Sequence, residues 1–423
     1  MNEFRPGLEG VVAIQTEIAE PDREGGALRY RGVDIEELVG RVPYEKVWGL
    51  LVDENLEPGM PDPEPYEPKS LTGNAPADLQ SETAHLSTEW NLKKLVDIEE
   101  LVGHVPYEKV WGLLVDETPE PGMPEPEPYQ PRHLSGNAPS DAQSELASLS
   151  GEWGLKKLVH IEAEEARDDL ARLSPQVMAI VARSARVADG KRDPVPDEVV
   201  AEGETAAEKF LLRWRGEADP AHVKAIDTYW ICTAEHGLNA STFTARIVAS
   251  TGADCGAALS AAIGALSGPL HGGAPAHVIP MLDEAAAMGD PERYVRELLA
   301  RGERIMGFGH RIYRAEDPRA RLLKQTAREL GSPRVEVAEE LERAALEELA
   351  RRKPDRVLAT NVEFWSAVVL DVAEIPPALT PAMFACARVA GWSAHILEER
   401  RTGRLIRPSA RYVGPASRSL ASV

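Results

Sequence analysis

Arg304-Ile-Met-Gly-Phe-Gly-His-Arg-Ile-Tyr-Arg-Ala-Glu-Asp-Pro-Arg319 sets an imidazole, His310, directly after a Gly-Phe-Gly turn. Gly307 and Gly309 have no Cβ, so the backbone there can bend sharply and come close to a ligand. Asp317-Pro318 reads as a helix start, with Asp317 as N-cap and Pro318 in the first turn. Arg319 then falls where free N–H groups and the helix dipole already favour an anion. Three arginines (Arg311, Arg314 and Arg319), one histidine and a helix N-terminus converge within ten residues. A solvated basic loop would also fit this stretch by itself, so the decision rests on the rest of the chain.

The chain has 423 residues, enough for two or three domains. Aromatic residues are few, and Ala and Leu carry much of the apolar content, which favours helix over sheet. A net charge of −22 argues against nucleic-acid and anionic-membrane binding, so an anionic ligand must be met by a local cluster of arginines. Cys232, Cys255 and Cys386 are scattered, with neither disulfide nor zinc spacing, as expected for a reducing cytoplasm. No signal-like N-terminus and no apolar run of about 18 residues is visible, so neither secretion nor a membrane span is expected.

Residues 10–31 read as a small β-hairpin around a Pro-Asp-Arg-Glu-Gly-Gly turn. A tandem repeat follows. Residues 33–95 recur as 96–158, with 49 of 63 positions identical. Two copies are too few for a solenoid. The substitutions between them build no recognisable site, so the second copy reads as an insertion that packs beside the first or loops outward. Deleting residues 96–158 is therefore expected to leave a folded, dimeric, active protein of equal or greater stability.

Apolar spacing near 3.6 predicts helices over 204–212 and 221–234, and one or two more over 159–190. Asn239 or Ser241 can cap the next helix. The helix at 254–266 carries Ala, Gly and Ser instead of bulky side chains, and buries well only where another backbone comes close. Helices are further predicted near 276–288, 292–301, 318–330, 334–352, 361–373 and from 380 to 403. The segment from Arg404 onward reads as a basic, extended tail.

The charges that stand out lie C-terminal to position 235. Arg388 sits on an apolar helix, where a guanidinium needs an anionic partner: either a structural carboxylate or a ligand carboxylate held bidentately. His236, His271 and His310 each adjoin glycines at helix edges. Without His-x3-His or carboxylate spacing they point to a polar pocket and not to a metal. Glu363 lies in a first helical turn among Val362, Phe364 and Trp365. It is either a dipole-favoured N-terminal acid or a carboxylate whose raised pKa suits proton abstraction.

Taken together, Glu-His-Gly-Leu-Asn-Ala-Ser-Thr-Phe around His236, Gly-Pro-Leu-His-Gly-Gly-Ala around His271, Gly-Phe-Gly-His-Arg-Ile-Tyr around His310 and Asn361-Val-Glu-Phe resemble the citrate synthase family. The likeness covers residues 10–50 and about 159–414, with four motifs in order. It implies an all-α, two-domain fold with a short N-terminal β-hairpin: a large domain of residues 1–275 plus 377–423, holding the repeat, and a small domain of 276–376. It implies His271, His310 and Glu363 as the catalytic set, and His236, Arg319, Arg388 and Arg407 as oxaloacetate ligands, with Arg407 reaching in from the partner of a homodimer. It places Arg304 and Arg314 on the acyl-CoA side. The implied reaction joins oxaloacetate and acetyl-CoA to give citrate and CoA, with acetyl-CoA as co-substrate and no permanently bound cofactor. Two features depart from the pattern: Glu363 stands where the family has Asp, and the family ordinarily has one copy of the repeated segment. The alternatives are a 2-methylcitrate synthase using propionyl-CoA, and an inactive helical scaffold.

Overall fold

The structure is a computed structural model. It describes residues 16–21, 27–62, 134–269, 271–272, 277–309, 317–354 and 358–407. The turn of the expected hairpin, the N-terminal half of the second repeat copy, His310, Arg311 and Arg314 lie outside the described residues.

The hairpin is present. Strands β1 (Ala19–Pro21) and β2 (Leu28–Tyr30) pair antiparallel, with Ala19 opposite Tyr30 and Pro21 opposite Leu28. A short third strand, β3 (Val33–Asp34), folds back on β2 through Arg31-Gly32, both in the left-handed region. The buried hydroxyl of Tyr30 lies 3.0 Å from the carbonyls of Ile231 and Glu235 and accepts from the Glu235 N–H. The sheet is thereby pinned to the segment that carries His236.

Helix carries the rest of the described chain. Helices α1 (Ile35–Leu38) and α2 (Tyr44–Asp53) follow the sheet, then α3 (Ala138–Glu152), α4 (Ala163–Ala188), α5 (Asp197–Val200), α6 (Ala206–Arg215) and α7 (Pro220–Thr233). Helices α8 (Ala240–Ser250) and α9 (Cys255–Leu266) precede a second group: α10 (Val278–Met288), α11 (Pro291–Ala300), α12 (Pro318–Glu329), α13 (Val335–Arg352) and α14 (Val362–Val372). Helix α15 (Thr380–Thr402) closes the fold against α2, α4, α7, α8 and α9. The predicted starts hold where a side chain can cap. Asn239 accepts from Thr242 N, Asp317 from Arg319 N and Asn361 from Glu363 N, each satisfying a first-turn N–H that the helix itself cannot. Among the described residues no helix is long and apolar enough to cross a membrane.

The small-residue helix behaves as its composition requires. A Cβ at Gly256 would lie 2.1 Å from Ser150 Oγ, and one at Gly264 2.5 Å from Gln143 Nε2, so α9 meets α3 at a spacing only glycine allows. Ser260 Oγ donates to the Gln143 carbonyl at 2.9 Å across the same contact.

The repeat is used differently from the expectation. The described core takes Val33–Asp62 from the first copy and Leu134–Leu158 from the second, which together amount to one unit without its central linker. The second copy is therefore not an addition outside the core, because its helix α3 is buried between α4 and α9. The first copy would supply Leu79 and Thr83 at the positions of Ala142 and Leu146, both fully buried. One exchange overfills a tight site and the other puts a hydroxyl where methyl groups pack. Deleting residues 71–133 keeps α3 as it stands and should leave the melting temperature unchanged or higher. Deleting 96–158 swaps in the poorer helix and should cost about 2 kcal/mol or more. Equal melting of the two deletion proteins would sink this reading of α3.

Candidate functional site

The site gathers around a short pairing of two distant segments. Phe308 bridges antiparallel to Thr360; Gly309 N donates to Ala359 O at 2.7 Å and Asn361 N to Gly307 O at 2.9 Å. Gly307 and Gly309 have φ of +87° and +86°, as the Gly-Phe-Gly turn anticipated. A Cβ on Gly307 would sit 2.6 Å from Phe364 Cβ, so this position needs both the missing side chain and the left-handed backbone. The turn that leads to His310 is thereby fixed against the helix start that carries Glu363.

Asp317 ties the same region together. Its carboxylate caps α12, pairs with Arg319 through Nε at 3.0 Å and Nη2 at 2.8 Å, and accepts from Val362 N at 3.0 Å. Both side chains are almost wholly buried. Arg319 is thus held in a fixed orientation by a bidentate partner two residues before it. Glu363, partly buried at the first turn of α14, has its carboxyl pushed up by desolvation, against the pull of Arg319 and with a smaller push from Asp317.

Arg388 lies in the buried face of α15, with Nε donating to Thr233 O at 2.8 Å and its guanidinium 4.8 Å from the Phe384 ring. Its Nη1 has no hydrogen-bond partner among the described residues. Burial works against its charge, Glu235 favours it, and Arg319 is close enough to oppose it. Two buried guanidinium groups within electrostatic reach of each other are stabilised by an anion between them.

His271 packs edge-on against Phe384 at 6.3 Å between centroids. Its Nε2 lies 3.4 Å from Ser241 N and 2.9 Å from Ser241 Oγ. A backbone N–H only donates, so Nε2 is the acceptor and the proton of the neutral ring sits on Nδ1. Burial, aided by Arg388, lowers the His271 pKa to about 4, which keeps the ring neutral near pH 7. His236 is buried immediately after Glu235. Arg304 and Arg407 are exposed, and Arg407 ends the described chain. The structure thus brings His271, Arg319, Glu363 and Arg388 into one neighbourhood.

Sequence reasoning missed a second buried network beside this one. Arg246 of α8, fully buried, pairs with Glu398 and with Glu399, the latter at 2.8 Å. Its Nη1 also donates to His395 Nδ1 at 2.9 Å, so the other ring nitrogen carries the proton and donates to Glu235 Oε1 at 3.2 Å. Gly391 makes room, since a Cβ there would lie 2.1 Å from Glu235 Oε2. The signal was available: Arg246 interrupts an apolar helix as Arg388 does, and His395, Glu398 and Glu399 share one helical face.

A helical fold of this kind is found in solved citrate synthases. The chain matches citrate synthase from Thermotoga maritima at a TM-score of 0.67 and 27% identity, covering 99% of this chain and 98% of that one. It matches the ternary complex of carboxymethyl coenzyme A and oxaloacetate with citrate synthase from Thermoplasma acidophilum at 0.72 and 26%, covering both chains fully. The family model "Citrate synthase, C-terminal domain" matches residues 7–84 and 95–409. A Mycobacterium tuberculosis protein named "Putative citrate synthase 2" is 50% identical over 422 residues, 99% of this chain and 95% of that protein. The chain belongs to the citrate synthase family, and it is an enzyme of the citrate synthase type.

Replacing Gly307 by alanine should lower stability by about 2–4 kcal/mol, from left-handed backbone strain plus the clash with Phe364. Denaturant unfolding of Gly307→Ala checks this. Wild-type stability would mean that the turn relaxes freely.

Proposed function

We propose that the enzyme joins the methyl carbon of acetyl-CoA to the keto carbon of oxaloacetate and hydrolyses the resulting thioester to citrate and CoA. The observation that carries the reading is Arg388, a buried guanidinium with an unpartnered Nη1 among the described residues, within electrostatic reach of a second buried arginine, Arg319. A dicarboxylate keto acid answers that arrangement. The Thermoplasma acidophilum relative is a complex with oxaloacetate and a coenzyme A derivative, which supports the same ligand class.

In this reading Glu363 takes a proton from the acyl methyl group. Desolvation raises its pKa and so makes its carboxylate a stronger base. His271, neutral, donates from Nδ1 to the thioester oxygen as enol character develops. His310 polarises the keto oxygen as the carbon–carbon bond forms. Arg319 and Arg388, with His236 and an Arg407 supplied by the partner subunit of a homodimer, hold the carboxylates. Arg304 and Arg314 face the CoA side. The enol passes its electron pair to the keto carbon, and water then cleaves the thioester and releases CoA, so no redox step arises. Residues 276–376 form the smaller of two domains, which close over the substrates and keep water from the enol. A cytoplasmic location fits a reaction on these metabolites.

A 2-methylcitrate synthase of Shewanella oneidensis is also a relative, 29% identical over 98% of this chain, so propionyl-CoA is the competing acyl donor. One methylene is worth only about 1–3 kcal/mol in an apolar pocket. CoA release from oxaloacetate with each thioester separates the two donors, and release with neither would leave an inactive scaffold.

Glu363→Gln should reduce kcat by at least about a hundredfold, the usual worth of a positioned base, with oxaloacetate affinity nearly unchanged. Glu363→Asp should retain turnover. Near-normal turnover of the glutamine variant would remove Glu363 from the mechanism. Arg388→Ala should weaken oxaloacetate binding by about 2–5 kcal/mol, as expected when one side of a buried charge pair is lost. Calorimetric titration reads this directly, and normal binding by a merely less stable variant would reduce Arg388 to a structural role.

A further inference from the structure

The cleft that receives α2 is built by α4, α6, α7 and α15. Tyr44 of α2 donates its hydroxyl to the carbonyls at Cys386 and Ala387. Trp48 Nε1 donates to Ser174 Oγ at 2.9 Å, and Asp53 pairs with Arg167. Tyr44 also packs on Trp230 at 5.4 Å. The bend after the helix is equally specific: Met60 N donates to Glu45 O, and a Cβ on Gly49 would lie 2.9 Å from Gly59 Cα.

On the α2 side, Tyr44, Glu45, Trp48, Gly49, Asp53, Gly59 and Met60 each occur twice in the chain. Residues 96–125 repeat 33–62 at 26 of 30 positions, including Tyr107, Trp111, Gly112, Asp116, Gly122 and Met123. The four substitutions are Arg41 to His104, Asn55 to Thr118, Leu56 to Pro119 and Asp62 to Glu125. Arg41, Asn55 and Asp62 are exposed in the docked segment, and Leu56 is half-buried. The other half of the repeat differs: there the copies disagree at buried positions of α3. The α3 site therefore discriminates between copies, whereas α2 itself, Tyr44–Asp53, is repeated without change and the one substitution at a packed position, Leu56 to Pro119, lies after it.

We infer that the α2 cleft is a docking site with two occupants in the same chain, Val33–Asp62 and residues 96–125, one at a time. Connection lengths do not separate the two arrangements. With Val33–Asp62 docked, the spare length of 71 residues (63–133) lies between the cleft and α3. With 96–125 docked, 65 residues (31–95) lie before the cleft and residues 126–133 lead directly to α3. Closure entropy depends only logarithmically on such lengths. What favours the first occupant is local: the Arg31-Gly32 turn that pairs β3 with β2, and the Arg31 guanidinium, which donates to the Leu51 carbonyl at 3.1 Å through Nη2.

The test uses the full-length protein. Trp48→Ala empties a fully buried site in the first occupant, Trp111→Ala changes its counterpart, and the double variant disables both. Shared docking predicts that Trp111→Ala leaves the melting temperature unchanged and Trp48→Ala lowers it by only ~1–2 °C, whereas the double variant falls by roughly 5 °C or more. A Trp48→Ala protein that melts as low as the double variant overturns the inference. Location is read separately by placing cysteines at Asp116 and Arg167 in the Trp48→Ala background and adding a short bismaleimide. A cross-link within one chain is expected, and its absence, or a cross-link only between chains, overturns the proposal.

Discussion

The carboxylate of Asp317 is the constraint on which the site depends. It caps α12, grips Arg319 through two hydrogen bonds and accepts the N–H that opens α14. Three demands fall on two buried oxygens, and each is a donor that burial would otherwise leave unmet. The consequence is geometric. Arg319 and Glu363 stand on different helices far apart in sequence, yet one ion fixes their relation. The Gly307–Gly309 segment, paired with residues 359–361, adds a second tie at the same corner.

Charge in this interior is arranged in two ways. In the Arg246, His395, Glu398, Glu399 and Glu235 network the guanidinium meets two carboxylates and an imidazole acceptor, and the imidazole in turn meets Glu235. This network fixes the packing of α8 against α15, because removing one member would strand its partners at about 3–5 kcal/mol. Arg388 is different. It hydrogen-bonds the Thr233 carbonyl and keeps one nitrogen unanswered among the described residues, beside the like charge of Arg319. The same residue type on the same kind of apolar helix therefore serves structure in one case and ligand binding, in the proposed mechanism, in the other. Glu235 touches both: it accepts from His395 and is the main opposite charge felt by Arg388.

The duplication shows how a fold selects among equivalent sequences. Either copy supplies the same α2 helix, because Tyr44–Asp53 recurs unchanged at 107–116. The α3 slot is stricter. Its Ser150 and Gln143 lie against glycines of α9, and Ala142 on the same helix is fully buried, so a leucine in its place overfills the site. A composite unit, half from each copy, follows from that difference.

Much was written in the sequence alone. Helix starts were legible wherever Asn or Asp stood before an apolar run, because a cap is a local interaction between a side chain and the next N–H groups. The glycine turn at 307–309 and the close-packed helix at 255–266 were legible for the same reason, since a missing Cβ has few uses. The motifs around His236, His271, His310 and Asn361 were enough to indicate the family. Only the tertiary structure showed that, among the described residues, Val33–Asp62 of one copy and Leu134–Leu158 of the other share one core, since that depends on packing against distant helices. It also decided that Arg319 is gripped by Asp317 and that Arg246 closes a network with residues some 150 positions away. Those outcomes depend on three-dimensional neighbours that no local spacing encodes: a buried charge announces that it needs a partner, and only the packed chain determines which partner it finds.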